Sequence, residues 1–245
     1  MVPVLLYSGG LDSFVLGCDM CRNPFRYGID SPPILFHFTA RDPVHQHCTR
    51  LVMEKQSPFL QKVAVENHTL FKEFSVPRPI VVPFDDFIFT GDPNVPQPEV
   101  VAWNRESAQN GVTPSRNLIF LSICSNWAAS VGSNQIFAAF MMTPARWGRW
   151  DQDDPDERSD DNPAFVEAFN QMGEVGGIFP NMTLETPFLE YRQTKSDIIR
   201  LGRSLGVPFD LTYSCVWQAP VPCEQCAACL VRGAAFKEVG EADAG

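Results

Sequence analysis

The sequence predicts an α/β protein: a Rossmann-like parallel sheet with helices on both faces, followed by a C-terminal helical segment that carries a four-cysteine metal site. Three observations indicate this. Short apolar runs, typical of fully buried strands, alternate with stretches of helical period. A turn rich in glycine and serine joins the first apolar run to the first helical stretch. Four of the eight cysteines lie close together near the C-terminus.

Length and composition indicate a folded protein. The chain has 245 residues, 44% of them apolar and 20% charged, which is enough for a sizeable core and excludes a disordered chain. The 29 acidic and 19 basic residues give a net charge of −10, so we expect no direct nucleic-acid binding and no attraction to an anionic membrane. The sequence shows no basic leader and no apolar run long enough to span a bilayer, which predicts a cytoplasmic protein.

The first part of the chain supplies the predicted sheet. Apolar runs at four places are expected to be strands: residues 2–7, 33–38, 79–82 and 135–141. Helical period is found between them: residues 12–21, residues 46–67 with a break near Pro58, and residues 116–131 before a stop at Gly132. This alternation predicts parallel strands, whose ligands sit at the carboxyl ends of the strands.

The pattern changes after residue 141, and we divide the chain into residues 1–145 and 146–245, which we expect to form one compact unit. Residues 145–150 alternate arginine with tryptophan, and these side chains either stack on a base or anchor a loop. Residues 151–161 hold seven acidic residues and one arginine, and therefore predict a solvated loop or lid. A helix over 162–172, an extended stretch over 184–187 and a helix over 194–205 follow.

The loop after the first predicted strand has the composition of a phosphate cradle. Gly9 and Gly10 let an anion approach the backbone amides, Ser8 and Ser13 offer hydroxyls, and the following helix adds the partial positive charge of its N-terminus. The Gly-Lys-Ser/Thr ending of a Walker loop is missing. The alternative is a tight strand-to-helix turn with Asp12 or Ser13 as the helix N-cap.

The cysteine cluster has the spacing of a metal site. Its four thiols lie within fifteen residues and include two C-x-x-C turns: Cys215, Cys223, Cys226 and Cys229. Zinc is the first candidate, a 4Fe–4S cluster is its competitor, and two disulfides are a third possibility that a reducing compartment disfavours. Four protein thiolates would close the site, which predicts a structural role.

These motifs resemble known enzymes. Residues 8–13 resemble the pyrophosphate-binding loop of the N-type ATP pyrophosphatases, which activate a carboxyl or carbonyl oxygen as its adenylate. Six further stretches follow in the order found in the 7-cyano-7-deazaguanine synthase family of the queuosine pathway: residues 114–121, 185–188, 195–202, 205–209, 212–215 and 223–229. The resemblance therefore extends from the first strand to Phe236.

The resemblance implies a reaction and a set of site residues. The family adenylates 7-carboxy-7-deazaguanine with ATP, displaces AMP with ammonia, and dehydrates the amide to the nitrile after a second adenylation. Carried over, the catalytic residues are Asp12, which positions magnesium, Lys195 and Arg116. The pyrophosphate of ATP would contact this set: Ser8, Gly9, Gly10, Leu11, Asp12, Ser13, Arg116 and Lys195. The deazaguanine would contact Asn117, Asp160 and Asp161, and family members often form homodimers.

The sequence departs from the family pattern at two places. Residues 36–41 replace an aromatic-Gly-Gln segment, which alters the adenine side of the pocket, although His37 is also explained as a core histidine. Residues 158–162 retain Asp160 but lose the neighbouring cysteine and arginine. This second departure motivates an alternative in which the activated acid passes to an amine of a partner protein and stops at the amide. A third reading is a nucleotide sensor that does not catalyse.

Overall fold

The computed structural model describes residues 2–40, 43–83, 116–142, 161–176 and 181–243. A five-stranded parallel sheet forms the centre of these residues, in the order β3-β2-β1-β4-β5. Its strands are β1 Val4–Leu6, β2 Ile34–Thr39, β3 Pro79–Pro83, β4 Gln135–Ala138 and β5 Thr183–Glu185. The predicted parallel sheet is confirmed.

The central strand, β1, lies where the strand order reverses. It pairs on one side with β2, where Val4 aligns with Ile34, and on the other with β4, where Val4 aligns with Ile136. The chain therefore builds outward from β1 to β3 and then crosses back to begin the other half of the sheet at β4. Such a reversal opens a crevice at the carboxyl ends of the strands.

The fifth strand differs from the sequence prediction. Residues 184–187 are predicted to be extended, whereas the strand covers Thr183–Glu185 and pairs with β4. Pro187 instead begins a short helix, where its missing N–H and fixed φ are tolerated in the first turn.

Helices cover both faces of the sheet, as predicted. Within the described ranges they are α1 Leu11–Arg22, α2 Pro43–Leu51, α3 Ser57–Glu66, α4 Arg116–Ser130, α5 Pro163–Val175, α6 Pro187–Glu190, α7 Lys195–Ser204 and α8 Ala227–Val239. None of these described helices has the length and apolar character needed to cross a membrane.

Alternate residues of the strands face two separate cores. One core joins Leu5, Leu35 and Phe137 to side chains of α1, α3, α7 and α8. The other joins Val4 and Phe36, with their neighbours on β4 and β5, to α4 and α5. Side chains of a strand alternate between its two faces. A strand that packs against a core on each face therefore has apolar residues at successive positions.

The helical stretch around Pro58 is continuous from Pro43 to Glu66. A π-helical segment, Val52–Gln56, joins α2 to α3, and Pro58 lies in the first turn of α3. Pro58 has no N–H to donate to a carbonyl of the preceding turn, and the helix changes its hydrogen-bonding pattern directly before it. The expected break near Pro58 is therefore a change of helix type that begins before the proline.

Packing of α7 on α1 requires a glycine, and this gives a test of the fold. A Cβ at Gly202 would lie 2.8 Å from Val15 Cγ2 and 2.8 Å from the Phe209 ring. We expect Gly202→Ala to lower the free energy of unfolding by roughly 1–3 kcal/mol, because the added methyl overpacks the contact. Urea unfolding would measure this change.

The matched control is Gly233→Ala in α8, where no atom lies within 4 Å of the added Cβ. Alanine has the higher helix propensity, so this variant should be neutral or more stable by up to about 1 kcal/mol. Equal effects of the two substitutions would contradict the packing of α7 on α1.

Candidate functional site

The loop between β1 and α1 lies at the carboxyl end of the central strand. Gly9 has a φ of +81°, in the left-handed region, and a Cβ there would lie 2.8 Å from Val52 Cγ2. A side chain at Gly9 would therefore be both strained and crowded. Gly10 is the N-cap of α1, so the alternative with Asp12 or Ser13 as the N-cap is wrong.

The two serines of the loop turn towards each other. Ser8 Oγ accepts a hydrogen bond from Gly10 N at 3.1 Å and lies 3.1 Å from Ser13 Oγ. Ser13 Oγ in turn donates to the Gly10 carbonyl at 3.2 Å. The loop thus presents hydroxyls and amides beside the N-terminus of a twelve-residue helix, which is an arrangement suited to an anion.

An ion pair joins this loop to the C-terminal part of the chain. Lys195 Nζ lies 2.6 Å from Asp12 Oδ1 and 2.5 Å from Asp12 Oδ2. The lysine side chain is 11% exposed and the aspartate side chain 24%, so both charges lie at the edge of the interior. The structure therefore brings together Asp12 and Lys195, which the sequence separates by 183 positions.

A capping box in the local sequence determines the position of Lys195. Thr194 caps α7: its Oγ1 accepts from Asp197 N at 3.3 Å, while Asp197 Oδ2 accepts from Thr194 N at 3.0 Å. This reciprocal capping box makes Lys195 the first residue of the helix. The cap holds the lysine at a helix start even though the helix dipole opposes a cation there.

His37 is a buried histidine that supports the end of β1. Its Nδ1 lies 2.8 Å from the Tyr7 carbonyl and must donate to it, and its Nε2 lies 3.0 Å from Thr49 Oγ1. Burial lowers the pKa of His37 and so favours the neutral ring. These contacts agree with the expectation of a core histidine.

For the remaining predicted site residues, the structure gives a position in the fold or nothing. Arg116 and Asn117 are half-buried and are the first two residues of α4, which packs on the opposite face of the sheet from α1. Asp161 precedes the N-cap of α5, Asn162, whose Oδ1 accepts from Phe165 N at 2.8 Å. Asp160, the predicted stretch over 146–150 and all of the predicted loop over 151–161 except Asp161 lie outside the described residues, so the proposed contacts of all these residues with ATP or substrate stay predictions.

The four clustered cysteines converge on one point. The Sγ atoms of Cys215, Cys223, Cys226 and Cys229 all lie within 4.8 Å of one another. Cys229 Sγ lies 3.4 Å from Cys226 Sγ and 3.9 Å from Cys223 Sγ. A tetrahedral ion with bonds of about 2.3 Å to sulfur separates its thiolates by about 3.8 Å. The cluster can therefore hold a single metal ion.

Disulfides do not account for the cluster. All eight cysteines lie in the described ranges, and none of them forms a disulfide. The shortest of the quoted sulfur separations, 3.4 Å, is well beyond the bond of about 2.05 Å that a disulfide requires.

Backbone amides prepare the cluster for a cation. Trp217 N and Cys223 N point at Cys215 Sγ from 3.5 and 3.4 Å. Burial alone would raise the pKa of the Cys215 thiol, but hydrogen bonds from these N–H groups outweigh it and lower the pKa to about 6. Cys226 N similarly donates to Cys223 Sγ at 3.3 Å. The Cys215 thiolate is stabilised in this way and is a ready ligand for a metal, whereas burial raises the pKa of the Cys229 thiol.

The cysteine cluster is linked to the loop through residues 209–215. Cys226 is the N-cap of α8, and Arg232 on that helix is buried. Arg232 Nη1 donates to Thr212 Oγ1 at 2.8 Å, and its Nε lies 2.8 Å from Asp243 Oδ2. The Tyr213 carbonyl lies 3.6 Å from the position of a Cβ on Gly10. The segment that α8 holds therefore passes beside the loop.

Comparison with known proteins gives the family. The family described as queuosine biosynthesis protein QueC matches residues 3–240. The chain belongs to the QueC family. The resemblance predicted from the loop and the cysteine motifs is thereby confirmed.

Relatives of the QueC family match the chain at modest identity. The 7-cyano-7-deazaguanine synthase of Solidesulfovibrio magneticus is 29% identical over 98% of this chain and 93% of its own length. The synthase of Archaeoglobus fulgidus is 32% identical over 63% of this chain. The matched stretch spans only 58% of that relative and 52% of the synthase of Acidobacterium capsulatum.

A solved structure is also similar to the chain. The U34-tRNA thiolase NcsA from Methanococcus maripaludis, with its 4Fe–4S cluster, aligns with 97% of this chain and 64% of its own. The TM-score is 0.41 and the identity 12%, too low for any argument about function or metal.

The buried Arg232 gives a test of the link between α8 and residues 209–215. We expect Arg232→Met to lower the free energy of unfolding by roughly 2–3 kcal/mol, because Thr212 and Asp243 lose a charged partner inside the protein. Arg200→Met is the matched control, since Arg200 makes an ion pair with Asp197 while 53% exposed. That control should cost no more than about 0.5 kcal/mol. Similar losses in urea unfolding would contradict a special role for Arg232.

Proposed function

We propose that this protein is an ATP-dependent ligase that converts 7-carboxy-7-deazaguanine and ammonia to 7-cyano-7-deazaguanine, with release of AMP and pyrophosphate. The observation that carries the proposal is the loop over residues 8–13 with the Asp12–Lys195 pair at its edge. Support comes from the QueC family match and from relatives named 7-cyano-7-deazaguanine synthase.

The chemistry begins with a carboxylate, which resists attack by ammonia because its leaving group would be oxide. A carboxylate oxygen attacks the α-phosphorus of ATP, and the bond to pyrophosphate breaks. Ammonia then adds to the acyl carbon, loses a proton and displaces AMP to leave the amide. The amide oxygen attacks the α-phosphorus of a second ATP and releases a second pyrophosphate, and loss of AMP and two protons then gives the nitrile. Positioning and charge stabilisation carry these steps, so no side-chain nucleophile is needed.

The loop is suited to the departing pyrophosphate. Negative charge grows on that group as its bond to the α-phosphorus breaks. The fixed N–H dipoles at the start of α1 stabilise this charge. Gly9 allows the backbone to approach because it has no side chain. Ser8 is exposed and Ser13 buried, so the hydroxyls line the loop from its mouth inwards.

The ion pair supplies the charged groups. The carboxylate of Asp12 is the kind of oxygen ligand that Mg²⁺ prefers, and Mg²⁺ bound there would add positive charge to the phosphates. Lys195 would donate to a phosphate oxygen. Both groups therefore exchange one charged partner for another when ATP binds, so neither becomes an unpaired charge.

Zinc is the metal we propose for the four cysteines. The quoted sulfur separations of 3.4 and 3.9 Å bracket the value of about 3.8 Å for one tetrahedral ion. An iron–sulfur cluster presents a separate iron to each thiolate, which requires ligands spread farther apart. Four thiolates leave no open position, so the ion would be structural and would fix the start of α8. A cytoplasmic location would keep these thiols reduced.

The ligase proposal is tested by nucleotide turnover. We expect Mg²⁺-dependent release of AMP and pyrophosphate that requires 7-carboxy-7-deazaguanine. Asp12→Asn and Lys195→Met should each lower the rate at least about 100-fold, because each removes charge stabilisation at the phosphates. Arg200→Met, on the same helix as Lys195 but in a surface ion pair, should keep the wild-type rate.

The outcomes separate the competing readings. Binding of ATP without turnover in the presence of the acid and ammonia would contradict the ligase and support a nucleotide sensor. Turnover that depends on the acid but yields no nitrile by mass spectrometry would support transfer to a protein amine.

Metal analysis tests the zinc proposal. We expect about one zinc ion per chain, and Cys226→Ser should lose the metal and lower the melting temperature, because binding of a structural zinc contributes directly to folding. Cys48→Ser is the control, since Cys48 packs beside the cluster without belonging to it, and its zinc content should stay unchanged. Iron with sulfide absorbance, or protein without metal, would overturn the proposal.

A further inference from the structure

We propose that Gln56 is a positioning residue for the nucleotide loop: its side-chain amide fixes the Gly9 carbonyl so that the loop amides face the phosphates of ATP. The inference rests on the proposed function, because it assigns the loop to ATP. It concerns a residue that the sequence motifs do not include.

The contacts of Gln56 converge on the loop from inside the protein. The residue is fully buried at the end of the π-helical segment Val52–Gln56. Its Nε2 donates to the Gly9 carbonyl at 2.9 Å and to the Leu211 carbonyl at 2.7 Å. Its Oε1 accepts from the Tyr7 hydroxyl at 2.7 Å. Two carbonyls can be satisfied only by the amide nitrogen, so these partners also fix the orientation of the amide.

The hydrogen bond to Gly9 determines where the next N–H points. In a trans peptide the C=O and the following N–H lie on opposite sides of the bond. With the Gly9 carbonyl held by Gln56, the Gly10 N–H points away from Gln56 and meets Ser8 Oγ at 3.1 Å. Gln56 thus turns a carbonyl inwards and an amide donor towards the mouth of the loop.

The loop needs such a restraint because the backbone at two adjacent glycines can adopt many conformations. Gly9 already has a positive φ, and a peptide between two glycines rotates at low steric cost. A rotated peptide would present a carbonyl oxygen to the phosphates, and two groups of like partial charge would then repel each other. A buried amide that fixes the peptide beforehand avoids that cost when the anion binds.

The π-helical segment contacts the loop at both of its ends. Val52 Cγ2 lies 2.8 Å from the position of a Cβ on Gly9, and Gln56 bonds the Gly9 carbonyl. Residues four apart on a helix lie on the same face, so one face of this segment forms the inner wall of the loop. π-helical turns within α-helices are frequent at functional sites.

The test replaces Gln56 with methionine, which has a similar length but no amide. We expect Gln56→Met to weaken the binding of inorganic pyrophosphate with Mg²⁺ about tenfold by titration calorimetry, the change that one lost hydrogen bond produces. The KM for ATP should rise by a similar factor, with a smaller change in kcat.

Gln61→Met is the matched control on the following helix. The Gln61 amide donates to the Pro77 carbonyl at 3.0 Å and to Ser57 Oγ at 3.3 Å, so the substitution removes similar hydrogen bonds without touching the loop. It should lower the melting temperature and leave the pyrophosphate affinity unchanged. This difference separates positioning of the loop from a general loss of stability.

Tyr7→Phe is the second variant. It removes the hydroxyl that holds Gln56 Oε1 and should weaken pyrophosphate binding in the same direction by a smaller factor. It decides the inference if Gln56→Met does not fold.

Two negative results have different meanings. Wild-type affinity in Gln56→Met, or in Tyr7→Phe where only that variant folds, would overturn the inference alone. A wild-type protein that binds neither ATP nor pyrophosphate would overturn the proposed function and the inference together.

Discussion

The contact between Asp12 and Lys195 is the constraint on which the site depends. It joins the start of α1 to the start of α7 at the carboxyl end of the central strand, with the lysine nitrogen within 2.6 Å of both carboxylate oxygens. The parallel order of the sheet makes this meeting possible, because β1 lies in the middle and the chain returns beside it at β4. Two charges that the sequence separates widely thereby stand next to the same loop.

Hydrogen bonds from buried side chains restrain the backbone around that charged pair. His37 holds the Tyr7 carbonyl, Gln56 holds the Gly9 carbonyl, and Arg232 holds the segment that passes beside Gly10. None of these contacts uses the charge of Asp12 or Lys195. The supporting groups therefore restrain the backbone while the charged groups stay available for exchange with a ligand, as the proposed nucleotide site requires in a protein of net charge −10.

Much of this arrangement could be predicted from the sequence, for physical reasons. Strands buried on both faces appear in the sequence as apolar runs. Gly9 and Gly10 indicate a loop in which an anion can approach the backbone. The spacing of the cysteines predicts a site for one metal ion. The strand Thr183–Glu185 gave a weaker signal because it has only three residues, one of them exposed. Gln56 gave no signal, since a single glutamine within a helical pattern does not reveal a partner 155 positions away.

The most direct test of the proposed nucleotide site is a crystal structure with Mg²⁺ and an ATP analogue that cannot be cleaved between the α- and β-phosphates. We expect the β- and γ-phosphates to contact the amides of residues 9–13, with Lys195 Nζ on a phosphate oxygen and Gln56 still bonded to the Gly9 carbonyl. A nucleotide bound elsewhere, with the loop empty and the Asp12–Lys195 pair intact, would contradict the proposed site.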